Sequence, residues 1–111
     1  MRYNMFELRT YENVAGKSIF TEWLEQLRDP HARARIDVRL NRLARGLFGD
    51  VRVVGEGVTE LKIDWGPGYR VYFGRDGARV ILLLCGGDKR TQQKDISHAI
   101  EYWKDYQTRG K

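Results

Sequence analysis

The sequence predicts an α+β domain built around an antiparallel meander, and three observations carry that prediction. First, the stretch from Val58 to Cys85 holds three short runs rich in Val, Ile, Leu, Tyr and Phe, parted by Gly66-Pro67-Gly68 and by Asp76-Gly77. Asp-Gly between apolar runs is the strongest short hairpin signal, because both central residues of a type I′ turn need φ > 0, and Pro cannot continue a ladder. Second, helical spacing replaces strand alternation in three other stretches: Ile19, Phe20, Trp23, Leu24 and Leu27; Ile36, Leu40, Leu43 and Leu47; and Ile96, Ala99, Ile100 and Trp103. Third, 111 residues with 41% hydrophobic and 32% charged content suffice for one core and one domain, residues 1–111, and not for two.

Taken in order, Met5–Thr10 alternates and is short, as a strand that must join the later sheet non-locally. Tyr11–Gly16 is a connection. A helix of about three turns starts at Lys17. Asp29-Pro30 ends it, because the residue before Pro is pushed out of the helical region and Pro suits the first turn of a new helix. That second helix spans Pro30–Arg45, with Gly46 and Gly49 as helix-ending residues. Phe48–Gly57 is a Gly-rich connection in which Val51, Val53 and Val54 form a short extended piece. The meander strands are Val58–Asp64, Tyr69–Arg75 and Ala78–Cys85. Gly86–Thr91 leads into a last helix, Gln92–Tyr106, with Thr91 as N-cap. The expected order is β-α-α-β-β-β-α, with the two N-terminal helices packed on one face of the sheet, and a C-terminal helix.

Lys and Arg number 20 against 15 Asp and Glu, giving a net charge of +5. Such a field favours polyanions, of which nucleic acid is the commonest; a solubilising charge without a partner is the competing reading. The single cysteine, Cys85, cannot form an internal disulfide and is expected as a buried small hydrophobe in a reducing cytoplasm. MRYNMFELRTYE at the start lacks the apolar core of a secretion signal, and the run Val80–Cys85 is far too short to cross a bilayer. A cytoplasmic protein with no membrane partner is expected.

Period-two alternation puts Lys62 on one face of its strand with Glu60 and Asp64, and Arg70 and Tyr72 on one face of the next. If Leu61, Ile63, Val71 and Phe73 face the helices, then Lys62, Arg70 and Tyr72 share the opposite face. There a cation can hold a phosphate while a base stacks on the ring. A cross-strand ion pair of Glu60 or Asp64 with Arg70 is the competing reading. Lys89 and Arg90 follow paired glycines just before a helix, where backbone N–H groups attract anions, although the Walker spacing is absent. Arg35, Arg39 and Arg42 fall on one flank of the second helix, either as a phosphate-facing surface or as a solvated face. His31 and His98 are far apart, no metal-ligand spacing occurs and no nucleophile signature is present, so no metal or cofactor is expected. His98 reads as a helix-surface histidine rather than a general base.

At these residues the chain resembles a known family. The element order, Glu60–Ile63 (ELKI), Pro67–Phe73 (PGYRVYF) and Gly86–Ile96 (GGDKRTQQKDI) are similar to the RelE/ParE toxin superfamily, in particular its phage-derived HigB-like branch of addiction module killer proteins. The similarity runs from about Met5 to Tyr106. It implies the toxin of a type II toxin–antitoxin pair acting in the cytoplasm. Either it cuts mRNA in the ribosomal A site, as RelE-like members do, or it poisons DNA gyrase, as ParE-like members do. The resemblance implies catalytic roles at the scissile phosphate for Lys62, Arg70, Lys89 and Arg90, with no metal. Arg35, Arg39, Arg42, Tyr72, Thr91 and Gln92 are the expected RNA-binding residues. The implied partners are the ribosome with its mRNA and a cognate antitoxin of helix-turn-helix type, with operator DNA reached only through that antitoxin. Asp64 stands where the RelE strand carries its second lysine, and Ile96 where its last segment carries a tyrosine. The cationic cradle therefore carries over and a proton-transfer assignment does not.

RNA scission without metal uses the neighbouring ribose 2′-OH as an internal nucleophile. Arg70 and Arg90 stay charged and suit charge stabilisation, not base catalysis. Lys62 or Lys89 suits the acid. Either suits the base only if crowded cations depress its pKa far below about 10.4.

Overall fold

A computed structural model describes residues 4–110. In chain order the elements are β1 (Glu7–Thr10), α1 (Ile19–Gln26), α2 (Pro30–Ala44), β2 (Val51–Gly55), β3 (Val58–Ile63), β4 (Tyr69–Asp76), β5 (Val80–Gly87) and α3 (Gln92–Thr108), the last preceded by a 3₁₀ turn at Lys89–Thr91. The five strands form one mixed sheet in the order β1-β5-β4-β3-β2. β1 runs parallel to β5, and every other pairing is antiparallel. The α+β class and the meander are as expected, and β2 adds a fourth strand to the run.

β2 exists because of a turn the sequence does not advertise. Gly55 pairs with Val58, and the two residues between them, Glu56 and Gly57, have φ of 49° and 88°. Both are left-handed, which matches the twist of a tight hairpin. Asp76-Gly77, the expected site of that geometry, behaves differently. Asp76 stays in β4, paired with Val80, and the connection is the three residues Gly77, Ala78 and Arg79. Only Gly77 in that turn has a positive φ, 70°.

The helices start and stop on identifiable groups. Ser18 caps α1, its hydroxyl accepting from the Thr21 N–H at 3.2 Å. Leu27 is already extended, so α1 is shorter than its apolar spacing suggests. The Asp29 carboxylate accepts from the His31 N–H at 2.9 Å and caps α2, with Pro30 in the first turn. The buried stripe of α2 is Ala32, Ile36, Leu40, Leu43 and Ala44. Leu47 lies beyond the helix and is exposed, contrary to expectation. Thr91 does not cap α3; its hydroxyl donates to the Asp95 carboxylate at 2.6 Å.

The sheet carries a core on each face. Phe20 from α1 and Ile36, Leu40 and Leu43 from α2 pack on Leu61, Ile63, Val71, Phe73, Ile81 and Leu83. Ala99 and Trp103 from α3 pack with Val58, Tyr72, Leu82, Leu84 and Cys85 on the other side. Two glycines permit this layering: Gly86 lies directly under the Trp23 ring, and a Cβ at Gly74 would stand 2.5 Å from the Trp103 ring. Among the described residues no helix is long and apolar enough to cross a membrane.

Candidate functional site

Strand register assembles the site. Lys62 pairs with Arg70 and Glu60 with Tyr72 across β3 and β4, while Arg52 pairs with Glu60 across β2 and β3. Directly paired residues share a face, so these five side chains lie together on the face that α3 covers. At the N-terminal end of α3 that face opens into a cavity of about 280 Å³, lined by Asp50, Arg52, Glu60, Lys62, Arg70 and Gln92.

Glu60 is the hub of this cavity. It is 3% exposed, yet its carboxylate accepts from Arg52 Nε at 3.0 Å, Tyr72 Oη at 3.1 Å and Gln92 Nε2 at 2.9 Å. Burial pushes its pKa up. The hydrogen bonds from Gln92, Arg52 and Tyr72, with the charge of Arg52, outweigh that and hold it below the ordinary carboxylate value. Arg70 is 6% exposed and donates through Nη1 to the Gly68 carbonyl. Its Nε lies 3.6 Å from Glu60 Oε2, an ion-pair distance too long for a hydrogen bond, and has no hydrogen-bond partner. A buried cation with one unspent donor therefore lines the cavity wall.

Of the expected site residues, the fold brings Lys62, Arg70 and Gln92 into this cavity. Tyr72 shares their face as expected but is fully buried beneath Ala99 and Trp103 of α3. It cannot stack on a base, because the same alternation that places it beside Arg70 places it under a helix. Burial, then the charge of Glu60 and the hydrogen bond to it, push the Tyr72 phenol upward, so it remains a donor to that carboxylate.

Lys89, Arg90 and Thr91 stand outside the cavity lining. The Lys89 N–H donates to the Pro67 carbonyl at 3.4 Å, which sets it beside the turn whose Gly68 carbonyl binds Arg70. Arg90 is held by Asp88 at 2.9 Å, with its side chain 81% exposed. The Thr91 hydroxyl is committed to Asp95. Burial raises the Asp95 carboxyl, with Thr91 partly offsetting it.

The arginines of α2 lie with the other core, away from this cavity, and each has a different neighbour. Arg35 stacks on the Trp65 ring, 3.9 Å from its centroid. Arg39 donates to the backbone carbonyls of Lys62 and Phe48, tying α2 to β3 and to the loop after the helix. Arg42 is exposed. All three line a groove of about 440 Å³ beside Val38 and Asp64.

Arg52 is the residue that sequence reasoning missed. Its signal was the alternation Val51-Arg52-Val53 ahead of Gly57, which becomes legible once β2 is a strand. Cys85 is buried as expected, and burial pushes its thiol up. Among the described residues no group of three or more His, Cys, Asp or Glu side chains is placed to hold a metal ion.

Over 80 residues the chain is 49% identical to an uncharacterized protein of Haemophilus influenzae, a stretch covering 72% of this chain and 81% of that protein. No protein-family model matches the chain.

Proposed function

This chain belongs to the same family as that Haemophilus influenzae protein, and for it we propose the role of a RelE/ParE-type toxin of a type II toxin–antitoxin pair. In this reading it is a cytoplasmic, ribosome-dependent mRNA endoribonuclease, neutralised by a cognate antitoxin of helix-turn-helix type. The α+β fold supports this reading, although its order, β-α-α-β-β-β-β-α, carries one strand more than the resemblance implies, β2 hairpinned onto β3. The carrying observation is the cavity in which Arg52, Lys62 and the buried Arg70 converge, with the Arg70 Nε lacking a hydrogen-bond partner. A guanidinium fork and an ammonium on one wall suit the charge that develops on a phosphorane, and the RNA supplies its own nucleophile, so no metal is required. Lys89 and Arg90, exposed just past β5, suit the flanking phosphates.

Primer extension on a transcript in a translating extract tests this. Wild-type protein is expected to produce cuts within the reading frame, and Lys62→Ala to lose them while keeping its fold. Arg70→Ala also abolishes cutting, but it removes a buried cation 3.6 Å from Glu60 and empties the space its side chain fills. Its folding must therefore be checked alongside. An uncut transcript with wild-type protein, under conditions that arrest growth, overturns the nuclease reading. One observation favours a second reading, a ParE-like toxin that inhibits DNA gyrase without cutting: Glu60 already neutralises Arg70. Gyrase-linked DNA breaks with intact mRNA would select it.

A further inference from the structure

Cations grip a phosphate whatever base it carries, so selection among sites on an RNA needs a different group. Resting on the nuclease reading above, we infer that Asp50 is a specificity-determining residue. It accepts two hydrogen bonds from the Watson–Crick edge of a guanine that flanks the scissile phosphate.

Asp50 stands where two cavities meet. It lines the cavity of about 280 Å³ with Arg52, Lys62 and Arg70, and it also lines one of about 720 Å³ with Arg42, Leu47 and Phe48. The loop that carries it, between α2 and β2, is pinned along its length. The Leu47 N–H donates to the Arg42 carbonyl at 2.8 Å, and Arg39 donates to the Phe48 carbonyl at 3.1 Å. Gly49 takes a φ of +66°, and a Cβ there would stand 3.0 Å from the Arg39 guanidinium. The Lys62 N–H then donates to the Asp50 carbonyl at 3.0 Å. Asp50 is thus fixed next to Lys62, and a base that it reads belongs to a nucleotide beside the phosphate held there.

Its carboxylate is exposed and, among the described residues, makes no hydrogen bond or ion pair. Two neighbouring arginines are spent elsewhere. Arg39 feels the charge of Asp50 but donates to two backbone carbonyls, and Arg52 is paired with Glu60. An ionised carboxylate only accepts, and it repels phosphate. Its ligand is therefore a donor on a base or a ribose. A 2′-OH offers a single donor. Adenine and cytosine set a ring-nitrogen lone pair beside their amino group, and uracil sets carbonyls beside its ring N–H. Each of these opposes the second carboxylate oxygen. Guanine presents two adjacent donors, its ring N–H and its exocyclic amino group, which match both oxygens. The larger cavity has room for the purine, and Leu47, 53% exposed, offers apolar surface to its face.

Single-turnover cleavage on ribosomes programmed with short synthetic mRNAs, differing only at the nucleotides beside the cut, tests this. Wild type is expected to cut beside guanosine about tenfold faster than beside adenosine, the scale of one bidentate contact. Inosine, which lacks the exocyclic amino group, should remove most of that advantage. In Asp50→Asn one acceptor becomes a donor, so the guanosine advantage should collapse and inosine should cut as guanosine does. The ratio within each protein is the readout, and a general loss of rate or stability does not move it. A guanosine advantage that survives in Asp50→Asn, or a wild type indifferent to guanosine, overturns the assignment and leaves the nuclease standing. If Asp50→Asn fails to fold by thermal melt, wild type decides by itself, because equal rates beside guanosine and inosine overturn the two-bond contact. Absence of cleavage of every mRNA by wild type removes the nuclease reading and Asp50's role with it.

Discussion

Gly86 and Gly77 are glycines for opposite reasons, and substitution should separate them. A Cβ on Gly86 would run into the Trp23 ring, whereas at Gly77 nothing lies within 4 Å but φ is +70°. Gly86→Ala is expected to cost about 2 kcal/mol or more, since a packed ring must move, and Gly77→Ala about 1 kcal/mol of backbone strain. Urea denaturation measures both, and equal losses would contradict the difference in cause. Two carboxylates pull in opposite directions with pH. The folded pKa of Glu60 lies below its ordinary 4.5, so its contribution is complete above that value and is lost as pH falls through the lower folded one. The folded pKa of Asp95 lies above its ordinary 3.8, because burial disfavours its charge. Asp95→Asn, which can still accept from Thr91, is expected to raise Tm at neutral pH. The gain should shrink as pH falls through the raised folded value and vanish below 3.8. A variant less stable than wild type at pH 7 would refute this.

Among the elements, α2 shows how a charged row divides its labour. Arg39 ties the helix to two backbone carbonyls, while Arg42, three residues on, faces solvent. Arg39→Ala should cost roughly 2 kcal/mol, as hydrogen bonds from a charged donor are lost and their acceptors left bare. Arg42→Ala should cost less than about 0.5 kcal/mol. Guanidinium denaturation of both variants is the check. The sequence could not distinguish them, because spacing reports which flank a residue occupies and not which carbonyl it meets. The same limit explains the strands. β3, β4 and β5 are legible from alternation and Gly-Pro-Gly; β2 reads only as an extended piece, and its hairpin onto β3 does not, since Glu56 adopts a left-handed φ that glycine or asparagine usually signals. The pairing of Lys62 with Arg70 follows from period two alone. The burial of Tyr72 does not, because it depends on which end of that face α3 covers.

At the scale of the molecule, one sheet serves two cores, so neither face can melt without exposing the other. We expect one cooperative unit. Variants retaining only Trp23, against the first core, or only Trp103, within the second, should show coincident unfolding midpoints by fluorescence. Midpoints clearly apart would divide the chain in two. The parallel pairing of β1 with β5 has a further consequence for how the molecule is born. Glu7 through Thr10 meet their partners Val80 through Leu83 across most of the chain, a closure that local hairpins do not need. During synthesis the first strand must therefore wait, its edge bare, until nearly everything else has emerged from the ribosome. Translation speed and chaperone access over that interval should govern how much finished protein a cell obtains.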